Sequence, residues 1–309
     1  MRTLTGTAVA AVAAVTLTAC GNLSFGTRHE DRSFAAPAGV TALKVQANGG
    51  RVEVTASDSP GITVRERLRW SNDKNKPRAK HSFEGSTLKL SSKCGTQVIG
   101  FSPCGVSYRI RVPRSTPVQI DSRDGTVIAS GLTGAVKLHS ANGSITATGL
   151  RATTASLSSK DGSVRVSGRA DTADLRTDNG SVDATGLTAG KVTARSRDGR
   201  IRISGNVTTA DLRTDNGSID APGLTTDRIT ARTKDGGIVL RLTASPANVD
   251  ATSDNGSINL RLPTGEGYAF DVSTDNGSRR IDPAVHEDSR SGRRIKLTTK
   301  DGSIRVAPN

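Results

Sequence analysis

The stretch ADLRTDNGSV, residues 173–182, decides how this chain folds, and it returns 37 residues later as ADLRTDNGSI, residues 210–219. Its centre is a short phrase: Ser or Thr, any residue, Asp or Asn, then Gly. The phrase begins at 122, 140, 159, 177, 196, 214, 233, 253, 274 and 299, and its first seven intervals are 18, 19, 18, 19, 18, 19 and 20 residues. A unit this short cannot bury its own apolar face and must stack on its neighbours.

Working outward from the Asp or Asn, apolar residues alternate on both sides. Six and four positions before it stand pairs such as Val118 and Ile120, Val136 and Leu138, or Ala173 and Leu175. Three and five positions after it stand pairs such as Val127 and Ala129 or Ile201 and Ile203, with Arg279 the one break. Period two on both sides of an Asp-Gly or Asn-Gly corner predicts strand, turn, strand. Such corners also suit a meander of hairpins. Three features favour stacked coils instead. Residue types recur at fixed offsets. A second corner is marked by Gly131, Gly149, Gly168, Gly186, Gly205 and Gly223. Volumes compensate along the inner columns, as in Ala155 with Leu157 against Val192 with Ala194, which fills a narrow core. The predicted fold class is all-β: a β-solenoid, or β-helix-like rod, of about ten coils of 18–20 residues with an N-terminal β cap region. At an inter-strand spacing of about 4.8 Å such a rod is roughly 50 Å long.

The outward column just before the Asp or Asn alternates in sign: Arg123, Ala141, Lys160, Asp178, Arg197, Asp215, Lys234, Asp254. Like charges stacked at that spacing repel by about 1 kcal/mol in water. Alternation removes the repulsion and penalises a slipped register. It also makes Asp178 and Arg197 neighbours.

The N-terminus, MRTLTGTAVAAVAAVTLTACGN, has a basic start, an apolar run over residues 8–15, and then Leu17-Thr-Ala-Cys20. The run is too short to cross a membrane as a mature helix. The last four residues resemble the lipobox of bacterial lipoproteins, which implies cleavage before Cys20 and diacylglycerol on its sulfur. The expected organisation is a lipoprotein signal peptide over 1–19, a lipidated tether over 20–36, an N-terminal β region over 37–117 and solenoid repeats over 118–309. The expected location is the outer face of the cell membrane. Two cysteines remain, Cys94 and Cys104. Export permits a disulfide between them; two buried thiols are the alternative.

The formal charge of +14 is uneven. From Thr116 to Ser278 there are 18 basic and 18 acidic residues, whereas Pro60 to Ser115 holds 12 basic and 3 acidic ones. Three arginines, Arg65, Arg67 and Arg69, share one face of the predicted strand GITVRERLRW, with Val64, Leu68 and Trp70 on the other. Glu66 shares the apolar parity, as a half-buried carboxylate or at a bulge. With Lys74, Lys76, Arg78 and Lys80 of the next loop, the three arginines form the expected contact for an anionic surface, either phospholipid head groups or wall polymer.

No catalytic residues, cofactor or metal site are assigned. Asp124, Asp161, Asp198, Asp235 and Asp301 occupy equivalent turns, where Asp and Asn serve the backbone. A glycosidase needs two carboxylates in unlike settings. Calcium-binding nonapeptide repeats are missing, although calcium between turns stays open. Arg176, Arg195, Arg213 and Arg232 fall on consecutive coils, with acidic neighbours suited to cross-coil pairing. An aromatic content of 3% gives nucleic acid no stacking platform.

The segments ALKVQANGGRVEV, YRIRVPRSTPVQIDSRDGTV, NGSITATGL and KDGSIRV resemble the bacterial putative-adhesin family, domains of unknown function with β-solenoid folds, from about Val40 to Val306. The resemblance transfers no catalytic residues. The function expected is a non-enzymatic envelope lipoprotein that acts as an adhesin, surface-binding scaffold or holder of a protein partner. An envelope polysaccharide-active enzyme and an accessory subunit of an envelope-stress system are the alternatives.

Overall fold

In a computed structural model, residues 27–71, 73–95 and 104–309 are described. The signal peptide, Cys20 and the first part of the tether lie outside them, as does most of the loop between Cys94 and Cys104.

The repeats are parallel coils. Val118–Ser122 pairs in parallel with Val136–Ser140, which pairs with the matching part of Ile145–Ser159. The same register continues coil after coil, with Val192 on Ala210 and Ala194 on Leu212. Each coil has three short sides. In one, Val136, Leu138 and Ser140 point inward from the first side, Ile145 and Ala147 from the second, and Leu150 and Ala152 from the third, and all are buried. The chain enters the third side at a left-handed glycine, such as Gly149 with φ +60° or Gly186 with φ +67°. A side chain is disfavoured in that conformation.

The recurrent phrase is explained by three ladders. The buried Ser or Thr hydroxyl donates to the Gly carbonyl of the coil before and accepts the N–H of its own turn's Gly. Thr214 does so at 3.1 Å to Gly199 and 3.2 Å from Gly217. The Gly itself is required by close approach. A Cβ on Gly199 would lie 1.7 Å from the carbonyl oxygen of Gly180. The Asp and Asn alternate because each Asn amide donates to an Asp on the adjoining coil, as Asn216 does to Asp198 at 2.5 Å. The charged column behaves as expected: Arg197 lies 3.7 Å from Asp178, and Lys234 lies 3.1 Å from Asp215.

Both ends depart from chain order. At the C-terminal end, Asn248–Ser253 pairs with Arg294–Thr299, and Ala269–Thr274 lies outside that. In space the order is therefore Asn255, Asp301, Asn276, with Asn276 donating to Asp301 at 2.7 Å and Lys300 lying 3.0 Å from Asp254. The swap restores the alternation that chain order breaks. At the N-terminal end, β1 spans Arg28–Ala35, β2 Ala42–Ala47, β3 Val52–Ser57, β4 Thr63–Trp70, β5 Arg78–Glu84, β6 Thr87–Lys93 and β7 Cys104–Pro113. β2 and β3 stack directly on Val118–Ser122 and Val127–Ser130, and β6 and β7 stack beyond them. The N-terminal β region expected over 37–117 supplies two further coils of the same stack. In the outer one, Cys94 after β6 and Cys104 at the start of β7 are joined by a disulfide, with Cα atoms 5.9 Å apart.

Antiparallel strands then cover this end. β4 pairs with β7, β1 pairs with β4, and β5 pairs with β6. Residues 28–35, expected to belong to the tether, are therefore a strand. Their apolar content is too low to mark one, and ion pairs hold them instead: Arg67 grips Asp31, Lys76 lies 2.7 Å from Glu30, and Arg28 pairs with Asp73.

The opposite end is guarded differently. Ala269–Thr274 and Arg279–Ile281 have one partner strand each. Arg279 stands in register with buried Ile304, in a column filled by Ile or Val from Val52 to Ile304, yet it is exposed. A charge at an inward position blunts an open edge. Arg279→Val should complete the apolar column and make the chain self-associate, as read by sedimentation velocity. A variant that stays as dispersed as the parent would contradict this role.

Candidate functional site: a basic sheet face at the N-terminal end

Alternation along β4 and β7 sorts their side chains cleanly. Val64, Glu66, Leu68 and Trp70 of β4 face Ile110, Tyr108 and Val106 inside the end, and all are buried. Arg65, Arg67 and Arg69 point the other way, with Arg109 and Arg111 of β7 and Arg51 just before β3 on the same outer face. β4 keeps regular pairing with both neighbours, so the bulge considered at Glu66 is absent.

The outer face bears two open depressions, of about 880 and 560 Å3, which share Arg65 and Arg109. Two acids answer the arginines. Asp31 accepts from Arg67 Nε at 2.8 Å and from Nη2 at 3.0 Å, which holds its carboxyl below the usual range. Glu53 lies 3.7 Å from Arg109. Among the described residues, Arg51, Arg65, Arg69 and Arg111 have no ion-pair partner. Arg65 stands directly across from Arg109 in the β4–β7 register. Like charges in that position are unfavourable in a sheet.

The structure divides the seven residues expected as one contact. Arg65, Arg67 and Arg69 lie on the outer face. Lys76 sits 4.8 Å above the Trp70 ring and pairs with Glu30, so it braces β1 against β4. Lys74 lies in a short 3-10 turn, Asp73–Asn75, and Arg78 and Lys80 lie on β5, which pairs with β6 rather than β4. Arg51, Arg109 and Arg111 join the site instead. The alternation YRIRVP over residues 108–113 mirrors VRERLRW and marked the last two.

Inside the end, Glu66 is 4% exposed, and its Oε1 has no hydrogen-bond partner. Burial pushes its carboxyl above the ordinary range, offset in part by Arg32 and His81. Burial and then Glu66 push the Tyr108 phenol up as well, while its hydroxyl faces Ser92 without forming a close hydrogen bond. In the unfolded chain Glu66 loses its proton near pH 4.3 or so. The folded protein keeps that proton to higher pH, so this group's contribution to stability falls as pH rises from there to the folded value, and then stays low. Glu66→Gln should therefore gain stability over the parent as pH is raised from 4 to 7, seen as a growing difference in urea midpoint. A variant less stable than the parent at pH 7 would contradict it.

No group of three or more potential metal ligands exists among the described residues. No helix among them is long and apolar enough to cross a membrane.

The fold and the site together define a class: a β-solenoid repeat rod carrying a cationic sheet face at one end. The chain belongs to the Toastrack DUF4097 family, whose model matches residues 40–307. It is similar to a putative adhesin from Bacteroides fragilis NCTC 9343 at 16% identity, over 91% of this chain and 97% of that one, with a TM-score of 0.45. It is similar also to a putative lipid binding protein from Parabacteroides distasonis ATCC 8503 at 13% identity, over 90% and 96%, with a TM-score of 0.48. At these values neither transfers a ligand to this chain. Among curated proteins none matches it.

Proposed function

We propose that this protein is a non-enzymatic binding scaffold of the cell envelope, anchored by lipid at Cys20, whose N-terminal end contacts an anionic envelope component. One observation carries the reading. Residues 116–278 of the coils balance basic with acidic residues, several of them paired across coils, whereas the end nearest the proposed anchor gathers six arginines on one face against only Asp31 and Glu53. Cationic side chains near an anionic surface contribute roughly 1 kcal/mol each and lose it as salt screens them. The rod would hold that face close to the membrane or wall.

The site also favours binding over catalysis. The outward carboxylate in the larger depression, Asp31, is kept ionised by Arg67 and so is a poor general acid. Glu66 faces the core. The Asp residues of the turns are each tied to an Asn and are equivalent to one another.

Cys20→Ser should appear in the medium or as an unprocessed precursor when cells are fractionated. The purified chain should bind anionic wall polymer at low salt and release it as salt is raised. Tight membrane retention of a mature-length Cys20→Ser product would remove the anchor from this reading. Polymer binding that is missing at low salt would remove the ligand.

A further inference from the structure

We infer that Arg65 and Arg109 form a discrete site for a phosphodiester, the group shared by phospholipid head groups and phosphate-linked wall polymers. The inference rests on the binding role proposed above and narrows it from a diffuse charge to two named side chains.

The sheet places two guanidinium groups opposite each other on adjacent strands, about 5 Å apart at the backbone. The arrangement costs stability in the free protein. The next acid along the row, Glu53, lies beyond Arg109, and the residue beyond Arg65 on β1 is Ser33, which carries no charge. Arg65 is thus left facing a like charge, with no acid of its own among the described residues. Sequences break such local rules chiefly where function compensates.

Ligand chemistry follows from geometry. A planar carboxylate matches one guanidinium fork side-on, and this face already shows that match in Arg67 with Asp31. Two forks from neighbouring strands suit an acceptor whose oxygens diverge. The two non-bridging oxygens of a phosphodiester can each take one fork, which cancels the repulsion between the arginines. Its two ester arms then need room to leave in opposite directions. The pair lies between the two depressions, one continuing toward Arg51 and Arg69 and the other toward Arg111. The surface therefore accepts a diester within a chain as well as a head group.

The test uses the full lipidated chain in detergent and two soluble probes, so that the anchor plays no part. One probe is dihexanoyl phosphatidylglycerol below its micelle concentration. The other is poly(glycerol phosphate). Calorimetry should show that Arg65→Gln/Arg109→Gln weakens binding of the preferred probe by about tenfold or more, as expected when charge-assisted bidentate bonds are lost. Arg78→Gln/Lys80→Gln removes the same charge from β5 and should change affinity by less than about twofold, since exposed charges at a distance are screened. Thermal unfolding supplies a second readout. At low salt the Arg65→Gln/Arg109→Gln protein should melt no lower than the parent, and the probe should raise the melting temperature of the parent only. If that variant misfolds, Arg65→Lys/Arg109→Lys keeps the charge without the fork and should still lose most of the affinity. Binding of the lipid probe alone assigns the site to head groups, and binding of the polymer alone assigns it to the wall. Equal losses in both double variants would overturn the discrete site yet leave the broader cationic contact standing. A parent that binds neither probe overturns the site outright.

Discussion

Replacing Gly199 by Ala should break the rod in its middle. The added Cβ would meet the Gly180 carbonyl oxygen at 1.7 Å and its carbon at 2.4 Å. That carbonyl cannot step aside, because the Ser196 hydroxyl donates to it at 3.0 Å and parallel pairing fixes both coils. Overpacking a well-packed interior costs about 1–3 kcal/mol, and a rigid backbone contact belongs at the upper end or above. In a stack, each coil is stabilised mainly by its neighbours, so the fault would divide the rod into weaker halves. Gly186→Ala makes a fair comparison. Gly186 has φ +67° but nothing within 4 Å of the added carbon. Only the left-handed conformation is then penalised, by about 1–2 kcal/mol. Urea unfolding should show a much lower midpoint, or two transitions, for Gly199→Ala. If the two variants lose equal stability, the close stacking of the turns is not what demands glycine.

That contrast also shows what was legible in the sequence. The phrase around Thr177 and Thr214 disclosed parallel coils, because the hydroxyl ladder, the glycine contact and the Asp–Asn pairs each tie one residue type to one offset. Cross-coil pairing of Asp178 with Arg197 followed from sign alternation alone. The same alternation held a further message. Asn255 is followed by Asn276, and Asp254 by Asp275, so the pattern fails in chain order at the C-terminal end. Inserting the coil of Lys300 and Asp301 between them repairs both columns, as the structure does.

Other features left weaker marks. β6 and β7 lack the corner phrase between them, so their membership in the stack shows only in long-range pairing. β1 is polar apart from Phe34 and Ala35 and is fixed by ion pairs to β4 and its neighbours, which no local pattern reveals. The basic face was half visible. Parity along β4 identified Arg65, Arg67 and Arg69, but joining them to Arg51, Arg109 and Arg111 required the antiparallel register. The loop lysines belonged to the same charged stretch of sequence and yet fell on other surfaces, since β5 pairs with β6.

We propose that binding resides in the N-terminal end and that the coils support it. The arginine ladder of the coils offers a matched comparison. Arg176, Arg195, Arg213 and Arg232 are adjacent in the stack. Arg213 lies 3.0 Å from Asp211, Arg232 lies 2.8 Å from Asp250, and Arg176 lies 3.8 Å from Asp178. Three of the four charges are thus paired within the rod, and Arg195 alone has no ion-pair partner among the described residues. Arg51, Arg65, Arg69 and Arg111 have no such partners among the described residues. Changing either set of four to Gln lowers the net charge equally, so any difference between the variants reports position rather than total charge. The deciding measurement is the affinity of the full lipidated chain in detergent for poly(glycerol phosphate) at low salt, in the parent and in these two variants. The N-terminal variant should lose nearly all binding while the ladder variant stays close to the parent. Equal loss in the two, or greater loss in the ladder variant, would contradict it.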